Sequence, residues 1–284
     1  MLSCQLMGGL GNQLFQIFAT ISYAIRRNNQ FIFLNVYKLD SKRHTYWDTF
    51  LAKLKPFTRD SLVPYMKIVN QEGFHYQELN VGKTNNNHIC IRGYFQSFKF
   101  FQDNYDYIYN LLEIKKQIGL VAQKNKMDLV DYITTISLHF RLGDYKGIQH
   151  IHPIMTYEYY NESVRLIINK DPTVNKILYF CEDEDVRQVF NTVNKLQYDF
   201  PMISFARADR LLEDWEQMLL MSCCAHNVIA NSSFSWWGAY FNPSPDKIVC
   251  YPSRWFGPQL STPNTSDFHD TSDLCPDTWH KIGC

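Results

Sequence analysis

The chain opens with a strand, a glycine turn, a helix and a second strand, and this order constrains the fold more than any other feature. Residues 1–7 form a short apolar run, Gly-Gly-Leu-Gly follows at 8–11, apolar residues at 12–27 cover most of a helix surface, and 31–36 is again apolar. A strand, helix and strand in this order place the two strands parallel with a right-handed crossover. The sequence therefore predicts an α/β fold with a parallel sheet.

The second half of the chain repeats the alternation of strands and helices more clearly. The hydrophobic periodicity there predicts strands at 133–140, 176–181, 226–230 and 247–251, and helices at 156–169, 184–195, 209–224 and 234–241. Between 37 and 100 the pattern is weak, and we predict only a strand near 88–93 there. Residues 103–131 are predicted to be helical and to connect two α/β domains, 1–130 and 131–284.

Composition excludes several classes of partner and cofactor. The 284 residues are 45% hydrophobic with a formal net charge of zero, so we predict no nucleic-acid partner. No leader precedes the first strand and no apolar run approaches eighteen residues, so no signal peptide or membrane span is predicted.

The eight cysteines are scattered without a C-x-x-C pair, which favours reduced thiols and a cytoplasmic protein. His269, Cys275, His280 and Cys284 match no common zinc spacing, so no metal is predicted. The oligomeric state does not follow from the sequence.

The strand predicted at 133–140 leads into a concentration of polar groups. His139, Arg141, Gly143 and Asp144 lie within six positions. Alternation along a strand puts His139 and Arg141 on one side, roughly 7 Å apart. Ligands of open α/β sheets bind beyond the carboxyl ends of strands, where a planar, permanently charged guanidinium suits a phosphate. The alternative is a structural pair between Arg141 and Asp144.

Three further segments carry candidate site residues. The glycine turn at 8–11 precedes a helix, where free N–H groups favour anions, although such turns are often only structural. Residues 182–185 are four consecutive acids after a strand. Asp183 or Asp185 could cap a helix, contact a ribose or base, or form a D-x-D metal site. Asn231, Ser232 and Ser233 lie between a strand and an aromatic helix; they could cradle a phosphate, or Ser233 could be a plain N-cap.

Three of these segments together resemble the α-1,2-fucosyltransferase family, glycosyltransferase family 11. They are MGGLGNQLFQ at 7–16, HFRLGDY at 139–145 and NSSFSWWG at 231–238. YPSRWF at 251–256 and CPDTW at 275–279 are also similar to the end of that family. The resemblance covers nearly the whole chain, with the motifs in the family's order.

The resemblance implies a GT-B-like fold of two Rossmann-like halves, with the acceptor side in the first and the donor site in the second. It implies a GDP-β-L-fucose donor, inversion to an α-linked product, and no required metal or other cofactor. It further implies that Arg141 contacts the donor diphosphate, that His139 lies near the nucleotide, and that Asp183 contacts the nucleoside. The remaining donor-site residues that it implies are Gly9, Gly11, Asn12, Asn231, Ser232 and Ser233. The sequence departs from the family's usual Ser-Asp-Asp at Cys181 and Glu182.

We therefore expect a glycosyltransferase that moves L-fucose from GDP-fucose to a sugar hydroxyl of a glycan acceptor, with galactose O2 as the predicted position. Arg141, His139 and Asp144 are the predicted catalytic residues, with Asp144 as first candidate for the base or alternatively as a residue that orients Arg141. Two other functions stay open at this point. One is a metal-dependent GT-A-type transferase that uses Asp183 and Asp185, and the other is a non-enzymatic carbohydrate-binding protein that stacks sugars on Trp and Tyr.

Overall fold

The computed structural model describes residues 1–40, 43–61, 66–79 and 88–283, and it divides into two compact units. Unit 1 consists of Met1–Lys115 and Phe268–Pro276, and unit 2 of Lys116–Asp267 and Asp277–Cys284. The segment 268–276 packs with unit 1 because Asp273 accepts two hydrogen bonds there. Its carbonyl accepts from the Ser97 hydroxyl and its carboxylate from the Tyr76 N–H, both at 2.8 Å. The sequence had placed this segment in the second domain.

Unit 1 has parallel strands beside one deeply buried helix. Its elements are β1 (Leu2–Cys4), α1 (Leu10–Arg26), β2 (Phe33–Leu34), β3 (Thr58–Arg59), β4 (Lys67–Asn70), β5 (Ile89–Arg92) and α2 (Tyr105–Leu111), and α3 (Ile114–Lys124) crosses into unit 2. The strands pair in the orders β1-β5-β4 and β2-β3, all parallel, and Leu2 forms a parallel bridge to Phe31. Fourteen of the seventeen residues of α1 are buried, as the apolar pattern predicted.

Unit 2 is built on one six-stranded sheet. Its elements are α4 (Leu129–Thr134), β6 (Thr135–His139), α5 (Tyr157–Lys170), β7 (Lys176–Phe180), α6 (Val186–Asp199), β8 (Ser204–Arg207), α7 (Asp214–Met221), β9 (His226–Val228), α8 (Ser233–Phe241), β10 (Val249–Pro252), α9 (Pro258–Ser261) and β11 (His280–Ile282). The strand order is β11-β10-β9-β6-β7-β8, and every pair is parallel.

The strand order of unit 2 locates the place where a ligand is expected. Numbered from β6 as the first strand, the sheet has the order 6-5-4-1-2-3, which is that of nucleotide-binding Rossmann sheets. The chain reverses its direction of winding between β6 and β9, and ligands of such sheets bind at the carboxyl ends of the strands at this point. The predicted α/β fold with parallel sheets is confirmed.

Residues 103–131 are helical over most of their length, as predicted. They are divided among α2, α3 and the first residues of α4, because Glu113 and Lys126 have φ values of 52° and 53° that a right-handed helix cannot contain. The strand predicted from residue 133 begins at Thr135, since the preceding residues complete α4. Strand β8 was missed because it is a short edge strand with a polar residue at each end. In the described ranges, no helix has both the length and the apolar content that crossing a membrane would require.

Candidate active site

The candidate site of unit 2 lies where β6 and β9 end, at the reversal point of the sheet. After His139 the chain leaves the sheet and forms a 3-10 turn over Gly143–Gly147. Gly143 has a φ of 32°, in the region that side chains other than glycine rarely adopt. Arg141 therefore lies between the end of the central strand β6 and a turn whose first residue, Gly143, has a conformation that favours glycine.

The Arg141 guanidinium is held by carboxylates at both of its terminal nitrogens. Nη2 donates to Oδ1 of Asp144 at 2.6 Å, and Nη1 donates to Oε1 of Glu182. The guanidinium also lies 5.2 Å from the centre of the Tyr145 ring. The side chain is 19% exposed. Burial opposes its charge, but Glu182 and Asp144 outweigh that cost and raise the pKa of Arg141 further. The Arg141 guanidinium is thus a fixed positive charge at the carboxyl edge of the sheet.

His139 is the last residue of β6 and is buried, with its ring centre 5.6 Å from that of Phe234. Among the residues that the structure describes, its Nδ1 finds no hydrogen-bond partner. Burial, and secondarily the charge of Arg141, lower the pKa of His139 to about 3. The imidazole is therefore neutral near pH 7, and it can act there as a hydrogen-bonding group rather than as a cation.

Three of the four acids after β7 have different cationic partners. Glu182 binds Arg141, Asp183 binds Arg207 at the end of β8, and Asp185 binds Lys146. Asp185 is buried, and its second oxygen accepts from the backbone N–H of Gly143 at 2.7 Å. The N-cap position of α6 falls on Asp185, but its side chain makes no capping bond, so the capping alternative was wrong for this residue.

Arg207 was missed by sequence reasoning. It ends β8, donates to the Asp183 carboxylate and also to the Cys181 carbonyl at 3.2 Å. The only signal was an arginine after Phe205 and Ala206, and a four-residue edge strand leaves too little periodicity to place it. Two arginines therefore lie along the carboxyl edge of this sheet, one at β6 and one at β8.

Asn231, Ser232 and Ser233 follow β9 at the start of α8. The Asn231 amide donates to the carbonyls of Pro153 and Trp255 at 2.9 and 3.0 Å. Its buried Oδ1 has no hydrogen-bond partner in the described part of the chain. Ser232, rather than Ser233, occupies the N-cap position, and it makes no side-chain capping bond. The first-turn N–H groups that an α-helix leaves without intrahelical partners thus come at the end of β9. Such a helix start attracts anions.

The opposite end of α8 is held by a half-buried lysine, Lys247. Nζ of Lys247 donates to the carbonyls of Ala239 and Asn242 at 2.8 and 2.7 Å. Burial lowers the pKa of Lys247 to about 8. A cation at this end stabilises the helix dipole, and it fixes the helix whose N-terminus belongs to the site.

The glycine turn belongs to unit 1 and is described by itself. Gly8 has a φ of 76°, and a Cβ there would lie 2.5 Å from Nδ2 of Asn12. Gly9 is the N-cap of α1, and Gly11 is buried in its first turn. Asn12 Oδ1 accepts from the Gln96 amide at 2.8 Å.

Two buried glutamines, which the sequence reasoning did not single out, hold the glycine turn against α1. Gln13 donates to the carbonyls of Gly8 and His44, and Gln16 accepts from the Met7 N–H at 2.9 Å.

None of the described His, Cys, Asp and Glu residues form a group of three or more that could hold a metal ion. Asp183 and Asp185, the residues of the D-x-D alternative, are each paired with a cationic side chain. Cys284 of the C-terminal cluster lies outside the described residues.

The chain belongs to glycosyl transferase family 11, whose model matches residues 64–256, about two thirds of the sequence. It is therefore a glycosyltransferase, and the resemblance seen in its motifs is confirmed. A non-enzymatic carbohydrate-binding protein is accordingly set aside.

Two relatives from Escherichia coli match over nearly their whole length. The O-antigen biosynthesis glycosyltransferase WbnK is 28% identical, and the alignment covers 94% of this chain and 98% of the relative. An alpha-1,2-colitosyltransferase is 25% identical over 98% of this chain and 97% of the relative. The structure of an Arabidopsis thaliana FUT1 mutant in complex with GDP aligns at 10% identity over 87% of this chain and 69% of that chain. Its TM-score is 0.49, below the level from which a shared fold follows.

Proposed function

We propose that the chain is an inverting α-1,2-fucosyltransferase that moves L-fucose from GDP-β-L-fucose to a hydroxyl of a glycan, with galactose O2 as the acceptor position. The observation that carries the proposal is the Arg141 guanidinium, 19% exposed, at the end of the central strand β6. Its planar fork suits two phosphate oxygens, and the start of α8 at the neighbouring strand end adds N–H donors. GDP is the nucleotide implied by the family resemblance.

The reaction breaks one bond and forms another at the same carbon. The acceptor oxygen attacks C1 of fucose from the face opposite GDP, and the bond from C1 to the β-phosphate oxygen breaks with its electron pair left on that oxygen. Negative charge therefore grows on the phosphate, where Arg141 stabilises it by charge-assisted hydrogen bonds. A donor placed like one of an oxyanion hole contributes about 3 to 4 kcal/mol.

The acceptor hydroxyl must also lose its proton. His139, with a pKa lowered to about 3 by burial and by Arg141, is a weak base at neutral pH. We assign the proton to the Asp144 carboxylate, because its side chain is 52% exposed whereas His139 is buried. His139 is kept as a neutral hydrogen-bonding group near the nucleotide. Asp144 also accepts a hydrogen bond from Arg141, so it helps to orient the guanidinium.

No metal is assigned to the reaction. The diphosphate charge is assigned to Arg141 and to the N–H groups at the start of α8, while Asp183 and Asp185 have Arg207 and Lys146 as partners. A metal-dependent GT-A-type reaction through Asp183 and Asp185 would require both carboxylates to leave these cations.

A second donor sugar follows from one specific observation. The relative that is named an alpha-1,2-colitosyltransferase aligns with 98% of this chain. Its name gives the same α-1,2 linkage as the proposed reaction, but colitose instead of fucose as the transferred sugar. Colitose is therefore the competing donor sugar for the same site.

The deciding experiment is a donor screen. GDP-fucose, GDP-colitose, GDP-mannose and UDP-galactose are each offered with a panel of galactosides, and products are detected by mass spectrometry and their linkage by NMR. A fucosylated product with an α-1,2 linkage is expected. Transfer only from GDP-colitose would replace the donor sugar, and transfer only from UDP-galactose would reject the nucleotide as well. We expect the partners to be this donor and a glycan, in the cytoplasm.

A further inference from the structure

Glu182 accepts a hydrogen bond from the Arg141 guanidinium, the group that the proposed function assigns to the donor diphosphate. Nη1 of Arg141 donates to Oε1 of Glu182, and Nη2 donates to Asp144. Both terminal nitrogens of the fork thus donate to a carboxylate oxygen. A diphosphate oxygen that takes up the N–H of Nη1 now given to Glu182 competes with this carboxylate.

Glu182 is the better placed of the two to leave. Asp144 is three residues from Arg141 in the same turn, so the chain keeps its short side chain close. Glu182 comes from the end of another strand, 41 positions away in sequence, and its side chain is 45% exposed. It occupies the N-cap position of the 3-10 turn Asp183–Asp185 without making a capping bond. When Glu182 swings into solvent, the backbone around it therefore loses no hydrogen bond to its side chain.

The turn after β6 is shaped to admit Glu182. A Cβ built on Gly143 would lie 2.7 Å from Oε2 of Glu182 and 3.3 Å from its Cδ. Any side chain at this position would compete with the Glu182 carboxylate for space. The same glycine is anchored through its N–H to the buried Asp185, so the position of this turn does not depend on Glu182.

We propose that Glu182 is an internal competitor of the donor's diphosphate for Arg141. It binds the guanidinium in the empty site, leaves when the diphosphate arrives, and returns as GDP departs. Its negative charge beside a diphosphate would be repulsive, which drives it outward while the ligand is bound. Glu182 therefore weakens nucleotide binding and speeds the release of GDP. The inference rests on the proposed function in one respect only, that a diphosphate binds at Arg141.

The test is calorimetric titration of GDP, inorganic pyrophosphate and guanosine into the wild type and Glu182→Gln. We expect Glu182→Gln to lower the Kd for GDP and for pyrophosphate by about threefold to tenfold, the range of one partly exposed ion pair. The Kd for guanosine should stay unchanged, because guanosine carries no phosphate to compete for Arg141. If Glu182 had only a structural role, the substitution would change the Kd values of all three ligands together.

The matched control is Glu184→Gln, which removes the same charge from an exposed neighbour in the same turn. It should change the Kd for GDP by less than about twofold, since a solvent-exposed charge is screened. An equal change in the Kd for GDP in both variants would mean that only the general electrostatic potential of the site had changed. This result would overturn the proposed competition between Glu182 and the diphosphate. Circular dichroism checks folding; if Glu182→Gln does not fold, Glu182→Asp, one methylene shorter, is titrated with the same expected direction.

The two proposals fail differently. Tighter pyrophosphate binding by Glu182→Gln with no GDP binding to either protein would keep the inference and reject the GDP-sugar donor. Equal or weaker diphosphate binding by Glu182→Gln would overturn the inference and leave the donor intact. Absence of pyrophosphate and GDP binding in both proteins would overturn the inference too, because no diphosphate would then bind at Arg141.

Discussion

The backbone N–H of Gly143 donates a hydrogen bond of 2.7 Å to the buried carboxylate of Asp185. The other oxygen of Asp185 accepts from Nζ of Lys146 at 2.6 Å. The Asp185 side chain, which follows β7 in the chain, therefore fixes two points of the turn that follows β6. Arg141 is separated from the start of this turn at Gly143 by one residue, so the position of the proposed diphosphate contact depends on a residue that need not touch the ligand.

Asp185→Ala should destabilise the protein by about 2 kcal/mol, because the Gly143 N–H and the Lys146 ammonium lose their buried acceptor. Denaturant unfolding followed by circular dichroism measures the free energy. Glu184→Ala, which removes an exposed acid from the same turn, should stay within about 0.5 kcal/mol of the wild type. Equal stability of both variants would contradict the anchoring role of Asp185.

Arg141→Lys should lower kcat by about 10²-fold or more while the fold is retained, because an ammonium keeps the charge but loses the planar fork for two phosphate oxygens. Transfer rates and thermal unfolding are measured together. Arg165→Lys, on the exposed surface of α5, is the matched control and should be fully active. Near wild-type turnover of Arg141→Lys would remove Arg141 from the mechanism.

Chelation should leave transfer unchanged within about twofold, because side-chain and backbone donors are assigned to the diphosphate instead of a cation. Activity is assayed after dialysis against EDTA, and again after addition of Mg²⁺ or Mn²⁺. Loss of turnover that either cation restores would favour the metal-dependent alternative through Asp183 and Asp185.

GDP should bind more tightly than UDP, and Asp183→Ala should weaken GDP while leaving the circular dichroism spectrum unchanged. Guanine presents N1–H and the N2 amine as adjacent donors to one carboxylate, whereas uracil has no such pair. Asp183 is 58% exposed, while Asp185 is buried and bound to Lys146 and Gly143. Calorimetry of both nucleotides settles the preference, and equal affinities would falsify it.

Acid should destabilise the fold through His139. Its pKa is lowered to about 3 in the folded chain, against about 6.5 when unfolded. Below pH 6.5 only the unfolded state takes up this proton, so stability is lost as the pH falls from 6.5 toward 3. The slope is about 1.4 kcal/mol per pH unit, or about 2 kcal/mol at pH 5. His139→Gln should lack this component when unfolding free energies are compared at pH 7 and 5, and parallel losses in both proteins would contradict it.

The sequence predicted the elements of unit 2 well because its central strands are continuous apolar runs. Strand β7 was predicted at 176–181 and is Lys176–Phe180, and α8 was predicted at 234–241 and is Ser233–Phe241. Strand ends follow directly from such runs, so His139 and Asn231 could be placed at one sheet edge. In 37–100, short strands such as β4, with one buried residue in four, leave no periodicity to detect.

Side-chain partners could not be predicted from sequence. Arg141 and Glu182 are 41 positions apart, and Gly143 and Asp185 are 42 apart. Only the pairing of β6 with β7 brings these residues together. Sequence reasoning offered four equivalent acids after β7, whereas the fold gives Glu182, Asp183 and Asp185 three different partners. The assignments of the donor-site residues remain predictions for the experiments above.

The segment after residue 267 has a consequence for biosynthesis. Unit 1 uses Phe268–Pro276, and the sheet of unit 2 is completed by β11 at His280–Ile282. During translation, neither unit can complete its packing until this segment has left the ribosome. The nascent chain therefore exposes unpaired strand edges through most of its synthesis, and we expect truncation before residue 268 to yield chaperone-bound or aggregated product rather than one folded domain.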